Sequence, residues 1–201
     1  LTIDVISADL TNDGTLGVSN NAQLNVIGNL NGSATSILLG NGTINSTGGT
    51  ISHNGLISPG LSPGTLNLDA MVILGANAET KMEIGGLAPG TAFDVLNVSD
   101  SLTLDGTLSL ELLASFTPSN SDVFEIITSD DLLGVFANVA SGERLATEDG
   151  LGSFDVFYGT GSVFGEDSVV LTNFERSIPE PSTIALVFLT VPALLRRRRK
   201  A

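Results

Sequence analysis

The sequence predicts an all-β protein. A β-solenoid, parallel β-helix-like, forms the N-terminal half, followed by a compact β-rich C-terminal segment and a short C-terminal transmembrane helix. Three observations predict this. Short alternating apolar runs are punctuated by Gly and Asn at near-regular spacing. Before the tail, no long window places apolar residues at i, i+3, i+4 and i+7 with capping signals. The last 23 residues differ in composition from everything upstream.

The first half repeats loosely. Gly14-Thr15-Leu16, Gly28-Asn29-Leu30 and Gly42-Thr43-Ile44 recur every 14 residues. Gly49-Thr50-Ile51, Gly55-Leu56-Ile57 and Gly64-Thr65-Leu66 follow at shorter intervals. Each unit is a turn residue and then a short alternating strand. Asn12-Asp13-Gly14 and Asn41-Gly42 supply the positive φ that tight turns need. Short strands so punctuated suit a solenoid. A meander of plain hairpins is the competing arrangement. Fourteen residues are few for a full coil, so the glycines read as corners within one.

Further along, Leu66, Leu68, Ala70, Val72 and Leu74 alternate strictly. Leu102 and Leu104 precede Asp105-Gly106, and Leu108, Leu110 and Leu112 follow it. That pattern is either a hairpin with a type I′ turn or another corner. Residues 123–127 and 168–172 read as further strands.

Composition changes near residue 90. Residues 1–92 contain no aromatic side chain, whereas residues 93–174 contain nine. Glycine is biased the other way, with 15 of 23 in the first 92 positions. Closely spaced turns and aliphatic cores suit the first part, and large side chains can fill a compact core in the second. The expected divisions are 1–90 for the repeats, 91–176 for a capping or sandwich-like segment, and 177–201 for the tail.

The formal charge is −14, with no cysteine and one histidine. Five of the eight bases lie in the last six positions: Arg196, Arg197, Arg198, Arg199 and Lys200. Upstream of Ile178, three bases face 21 acids, leaving −18. Such a body repels phosphates, so no nucleic-acid partner is expected. Absent cysteine excludes a disulfide framework and a thiol nucleophile. A single histidine excludes a multi-histidine metal centre. The chain begins at Leu1 without a charged n-region, as expected after removal of a signal peptide or for the C-terminal piece of a longer product.

Candidate chemistry is sparse. Gly60-Leu61-Ser62-Pro63-Gly64 matches the Gly-x-Ser-x-Gly elbow literally. That elbow draws an oxyanion donor from the residue after serine, which here is Pro63 and has no N–H. The pattern therefore reads as a proline-glycine corner. His53, between Ser52 and Asn54, reads as a solvated surface histidine. Asp130-Asp131, Glu148-Asp149 and Glu166-Asp167 lack the spacing of a calcium loop and read as surface charge. No cofactor is expected beyond weak binding of external Ca2+. Four Asn-x-Ser/Thr patterns, at Asn31, Asn41, Asn45 and Asn97, read as turn and strand residues. Thr43, Thr47 and Thr50 lack a spacing that would stack as an ice-binding ladder, and Asn29 interrupts the series Thr15, Thr43 and Thr65. No catalytic group stands out, so no enzyme is expected.

The tail carries the clearest signal. Pro179-Glu180-Pro181 precedes an uncharged run over 182–195, and the basic block closes the chain. As a helix the run would span about 21 Å at ~1.5 Å per residue. That is short of a hydrocarbon core of roughly 30 Å. Snorkelling arginines and local thinning can bridge the difference. The basic block marks the cytoplasmic side. The prolines stop the helix from propagating upstream.

This arrangement resembles the PEP-CTERM sorting signal of exported bacterial proteins. Pro179, Glu180 and Pro181 match its triad, 182–195 its membrane run, and Arg196 to Lys200 its stop. The resemblance implies recognition by exosortase, a membrane-embedded cysteine transpeptidase, and cleavage near the triad after transient anchoring in the inner membrane. The same kind of tail is also known as an ice-binding-protein C-terminal domain. The body is similar to autotransporter-like passenger segments of surface proteins, through Ser58-Pro59-Gly60-Leu61-Ser62-Pro63-Gly64, Phe93-Asp94-Val95-Leu96 and Asp105-Gly106-Thr107-Leu108. Together these imply a non-enzymatic protein of the cell surface or a biofilm matrix, with extracellular polysaccharide as a further expected partner. The alternative is a polysaccharide-binding or ice-binding module on the same scaffold.

Overall fold

A computed structural model describes residues 2–5, 9–113 and 116–177. The triad at 179–181, the run at 182–195 and the basic block lie outside the described residues. Within them the protein is all-β. No helix is present among the described residues, and so none there is long and apolar enough to cross a membrane.

The chain forms strands in groups. β1 (Thr2–Val5), β2 (Asp9–Asn12) and β3 (Thr15–Val18) come first. β4 (Gln23–Ile27), β5 (Asn29–Gly32) and β6 (Ile37–Gly40) repeat the order. In the next passage two strands join into β7 (Thr43–His53), followed by β8 (Leu56–Pro59). β9 (Thr65–Leu74) and β10 (Glu79–Ile84) do the same. β11 (Val95–Val98), β12 (Ser101–Leu104) and β13 (Thr107–Leu112) are separate again.

Three parallel columns result. In the first, β1, β4, the start of β7, the start of β9 and β11 pair in order. In the second, β2, β5, the end of β7, the end of β9 and β12 pair. The third, β3-β6-β8-β10-β13, is a separate five-stranded parallel sheet. The chain visits the columns in rotation, and in-register partners are far apart in sequence. Gln23 pairs with Thr43, whereas Asn97 pairs with Thr128, 31 residues on. Gly14, Gly28 and Gly42 precede strands of three different columns, so the 14-residue spacing does not describe one repeated position.

Alternation decides what each column buries. Successive side chains point to opposite faces. Inward rows are aliphatic: Leu24, Ile44, Leu68 and Val98 in the first column, and Leu30, Ile51, Val72, Leu102 and Leu132 in the second. All nine are buried. Fully burying one such side chain is worth ~1.5–3 kcal/mol. Leu38, Ile57 and Leu108 fill the third column's row, together with Thr80. The Thr80 hydroxyl is buried and has no hydrogen-bond partner.

The Asp105-Gly106 alternative resolves through pairing. β12 and β13 do not pair with each other and belong to different columns. Gly106 is thus a corner, with φ of 68°. A Cβ there would lie 2.1 Å from the Ala78 carbonyl oxygen, so glycine is required sterically as well as conformationally.

Parallel pairing does not stop at residue 90. β14 (Phe124–Thr128) extends the first column and β15 (Asp131–Gly134) the second. β16 (Arg144–Ala146), β17 (Gly152–Phe157) and β18 (Ser168–Arg176) then run antiparallel from the β14 edge. The change in composition serves this junction. Phe124 meets Phe93, Phe116 and Phe154 edge-on at centroid distances of 5.3, 6.3 and 5.8 Å. Large rings fill the core where the parallel columns meet the antiparallel strands.

Candidate functional site

The outward face of the first column carries a polar row. Gln23, Thr43, Asn67, Asn97 and Thr128 occupy consecutive register positions. Neighbouring strands set them roughly 4.8 Å apart. The Thr128 hydroxyl donates to Asn97 Oδ1 at 2.9 Å, and the Asn97 amide donates to Asn67 Oδ1 at 3.1 Å. Beside this row, the Asn45 amide donates to Asp69 at 3.2 Å, and Ser99 also donates to Asp69.

At its C-terminal end the row runs into a cleft of about 480 Å³. Thr65, Asn97 and Thr128 lie on its floor, and Glu125 opens onto it. Leu87 and Pro89, from the segment between β10 and β11, and Val123, just before β14, also line it. Leu87 is 61% exposed and Val123 51%. Phe93 also lines the cleft but is buried against Phe124.

Asp94 anchors the segment that carries Leu87 and Pro89. Its carboxylate accepts the backbone N–H of Gly64 at 2.8 Å and that of Glu83 at 2.9 Å. It thus ties the segment's return to β10 and to the corner before β9. Asp94 is fully buried. Burial pushes its pKa up to about 7, reinforced by the charge of Glu83 and opposed by the two N–H donors and by Lys81. Asp94 belongs to none of the motifs or clusters the sequence offers as a site. Its signal was an acid flanked by apolar residues in Phe93-Asp94-Val95-Leu96, where a solvated acid has no place.

His53 is not a surface residue. It is 2% exposed, on the inward side of the second column. It pairs with Gly32, whose missing side chain leaves room for the ring. Nε2 lies 3.0 Å from the Leu56 carbonyl, to which it donates as the neutral tautomer, and Nδ1 lies 3.5 Å from Ser36 Oγ. Burial lowers the His53 pKa, opposed by the bond to Leu56. The expectation failed because register, not local polarity, sets which face a strand residue occupies.

The other candidates scatter. Ser62 is exposed at the corner between β8 and β9, with φ of 102°, while both ring nitrogens of His53 face Ser36 and Leu56. Asp130, Asp131, Glu148, Asp149, Glu166 and Asp167 are all exposed. Among the described residues no group of three or more His, Asp or Glu is placed to hold a metal ion. Thr43 pairs with Gln23 and Asn67, so no threonine ladder forms through it. Two of the body's bases are engaged. Lys81 sits 2.6 Å from Glu111 on the third column, and Arg144 bridges Asp155 at 3.0 Å and Glu175 at 3.1 Å in the antiparallel sheet.

In comparisons with known proteins, the chain matches no family model, no curated protein and no solved structure.

Proposed function

We propose that this protein is a non-enzymatic scaffold of the cell surface or extracellular matrix, exported and sorted through its C-terminal tail. The observation that carries this reading is the order of the tail: Pro179-Glu180-Pro181, the uncharged run 182–195, then Arg196 to Lys200. The run holds the chain in the inner membrane, the basic block stays on the cytoplasmic side, and an exosortase-type transpeptidase cuts near Glu180. The body is a β-solenoid in this reading. Its support is the rotation of the chain through three parallel columns with aliphatic inward rows. A stack of this kind is stiff because every strand inside a column is held by neighbours on both sides. After cleavage the body would keep three bases against 21 acids and sit at −18.

The test is replacement of Pro179 and Pro181, together with Glu180→Ala, by alanine in the producing cell. The wild-type body should appear at the surface or in the medium without its tail. The triple variant should stay uncut in the membrane fraction. Normal release of the triple variant would refute the sorting signal.

A further inference from the structure

We infer that the cleft between the 85–93 segment and β14, with the polar row leading into it, binds a neutral linear polysaccharide of β-linked hexopyranoses. This deepens the scaffold reading by giving its surface a ligand, and it uses the strand register rather than the sorting signal. The shape argument comes first. Asn97 and Thr128 belong both to the cleft floor and to the row. The row presents amide or hydroxyl groups at one strand spacing after another, roughly 4.8 Å. A linear polymer with one short ring per repeat can meet an equivalent group at each step.

The chemistry narrows the ligand. Amides and hydroxyls both donate and accept, as sugar hydroxyls require. Leu87 and Val123 both line the cleft, stand exposed, and offer apolar surface to the C–H faces of a ring. Among the described residues no base lines the cleft or the row, and the charged groups there are Glu125 and, beside the row, Asp69. An anionic polymer would be repelled. A peptide strand cannot add to this face's backbone, because β11 is already paired by β9 on one side and β14 on the other.

The experiment uses the full chain in mild detergent with hexamers of β-1,4-linked glucose, mannose and galactose, and a uronic-acid hexamer for comparison. Titration calorimetry should show saturable binding of at least one neutral hexamer and tenfold or more weaker binding of the uronate. Leu87→Asp and Val123→Asp should each weaken binding at least tenfold with unchanged melting temperature. Val163→Asp, at an exposed position away from the cleft lining, should bind as the wild type does. Absence of saturable binding to all three neutral hexamers would overturn the inference, as would wild-type affinity in both cleft variants or equal affinity for the uronate. A chain that binds none of them yet is still cut and released in the cell refutes this site and leaves sorting intact.

Discussion

The ring of His53 occupies the space that Gly32 leaves empty on the neighbouring strand. A Cβ on Gly32 would lie 2.2 Å from His53 Nδ1 and 2.7 Å from Ser36 Oγ. The two positions are register partners, 21 residues apart. Gly32→Ala should therefore lower the stability of the folded body by about 1–3 kcal/mol, the usual cost of overpacking. Urea unfolding should show a reduced midpoint at unchanged slope. In a His53→Ala background the same substitution should cost less, and additive losses would refute the coupling.

Asp94 and His53 give stability opposite dependences on pH. For His53 the folded pKa lies below the ordinary 6.5 because burial disfavours the charged ring. Its contribution is complete above pH 6.5 and is lost as pH falls through the folded value. For Asp94 the folded pKa is about 7 against 3.8. Its contribution is complete below pH 3.8 and is lost as pH rises through 7, with a full span on the order of 4 kcal/mol. The difference in stability between wild type and Asp94→Asn should therefore drift against the wild type from pH 4 to 8. With His53→Asn as reference it should drift in the wild type's favour from pH 5 to 7. Urea titrations at half-unit pH steps would read both slopes, and two flat differences would contradict the assignment.

Thr80 leaves a buried hydroxyl without a partner in the inward row between Ile57 and Leu108. Valine has nearly the same shape and no polar atom to desolvate. Thr80→Val should raise stability by about 1 kcal/mol, seen as a higher melting temperature. A fall in melting temperature would show that the hydroxyl has a partner in solution.

Asn138 closes the exposed edge of the third column. Its amide donates to the Leu108 carbonyl at 2.8 Å, and its Oδ1 accepts the Leu108 N–H at 3.0 Å. A side chain thus stands where a further strand would pair. Asn138→Ala should cost about 1–3 kcal/mol, because two backbone groups lose their partners. It should also promote association through the freed edge, measurable by light scattering against concentration. A variant as stable and as monomeric as the wild type would remove Asn138 from this role.

Local pattern told much of the fold. The alternation at Leu66, Leu68, Ala70, Val72 and Leu74 is enough to give β9 and its inward face, and all five are buried. Gly and Asn punctuation marks the corners, but the positive φ falls at Asn20, Asn21, Gly28, Gly40 and Gly106 and not at Asn12-Asp13-Gly14 or Asn41-Gly42, because strand register decides which turn residue takes the strain. The tail's order of prolines, apolar run and arginines is likewise legible without a structure, being contiguous in the chain.

Pairing was decided elsewhere. Asp105-Gly106 suits a hairpin or a corner equally well by its own residues, and only the partners of β12 and β13 distinguish them. His53 has polar neighbours in sequence, yet its surroundings are Gly32, Ser36 and Leu56. The cleft joins Leu87 to Val123 and Asn97 to Thr128, residues 30 or more positions apart. By itself the sequence determined the strand type and many of the corners, because period and turn chemistry are local properties. The register, the buried histidine, the Asp94 tie and the cleft belong to the tertiary structure. They depend on which distant strands lie side by side, and the growing offset between partners, from Gln23–Thr43 to Asn97–Thr128, leaves no fixed period from which to read them.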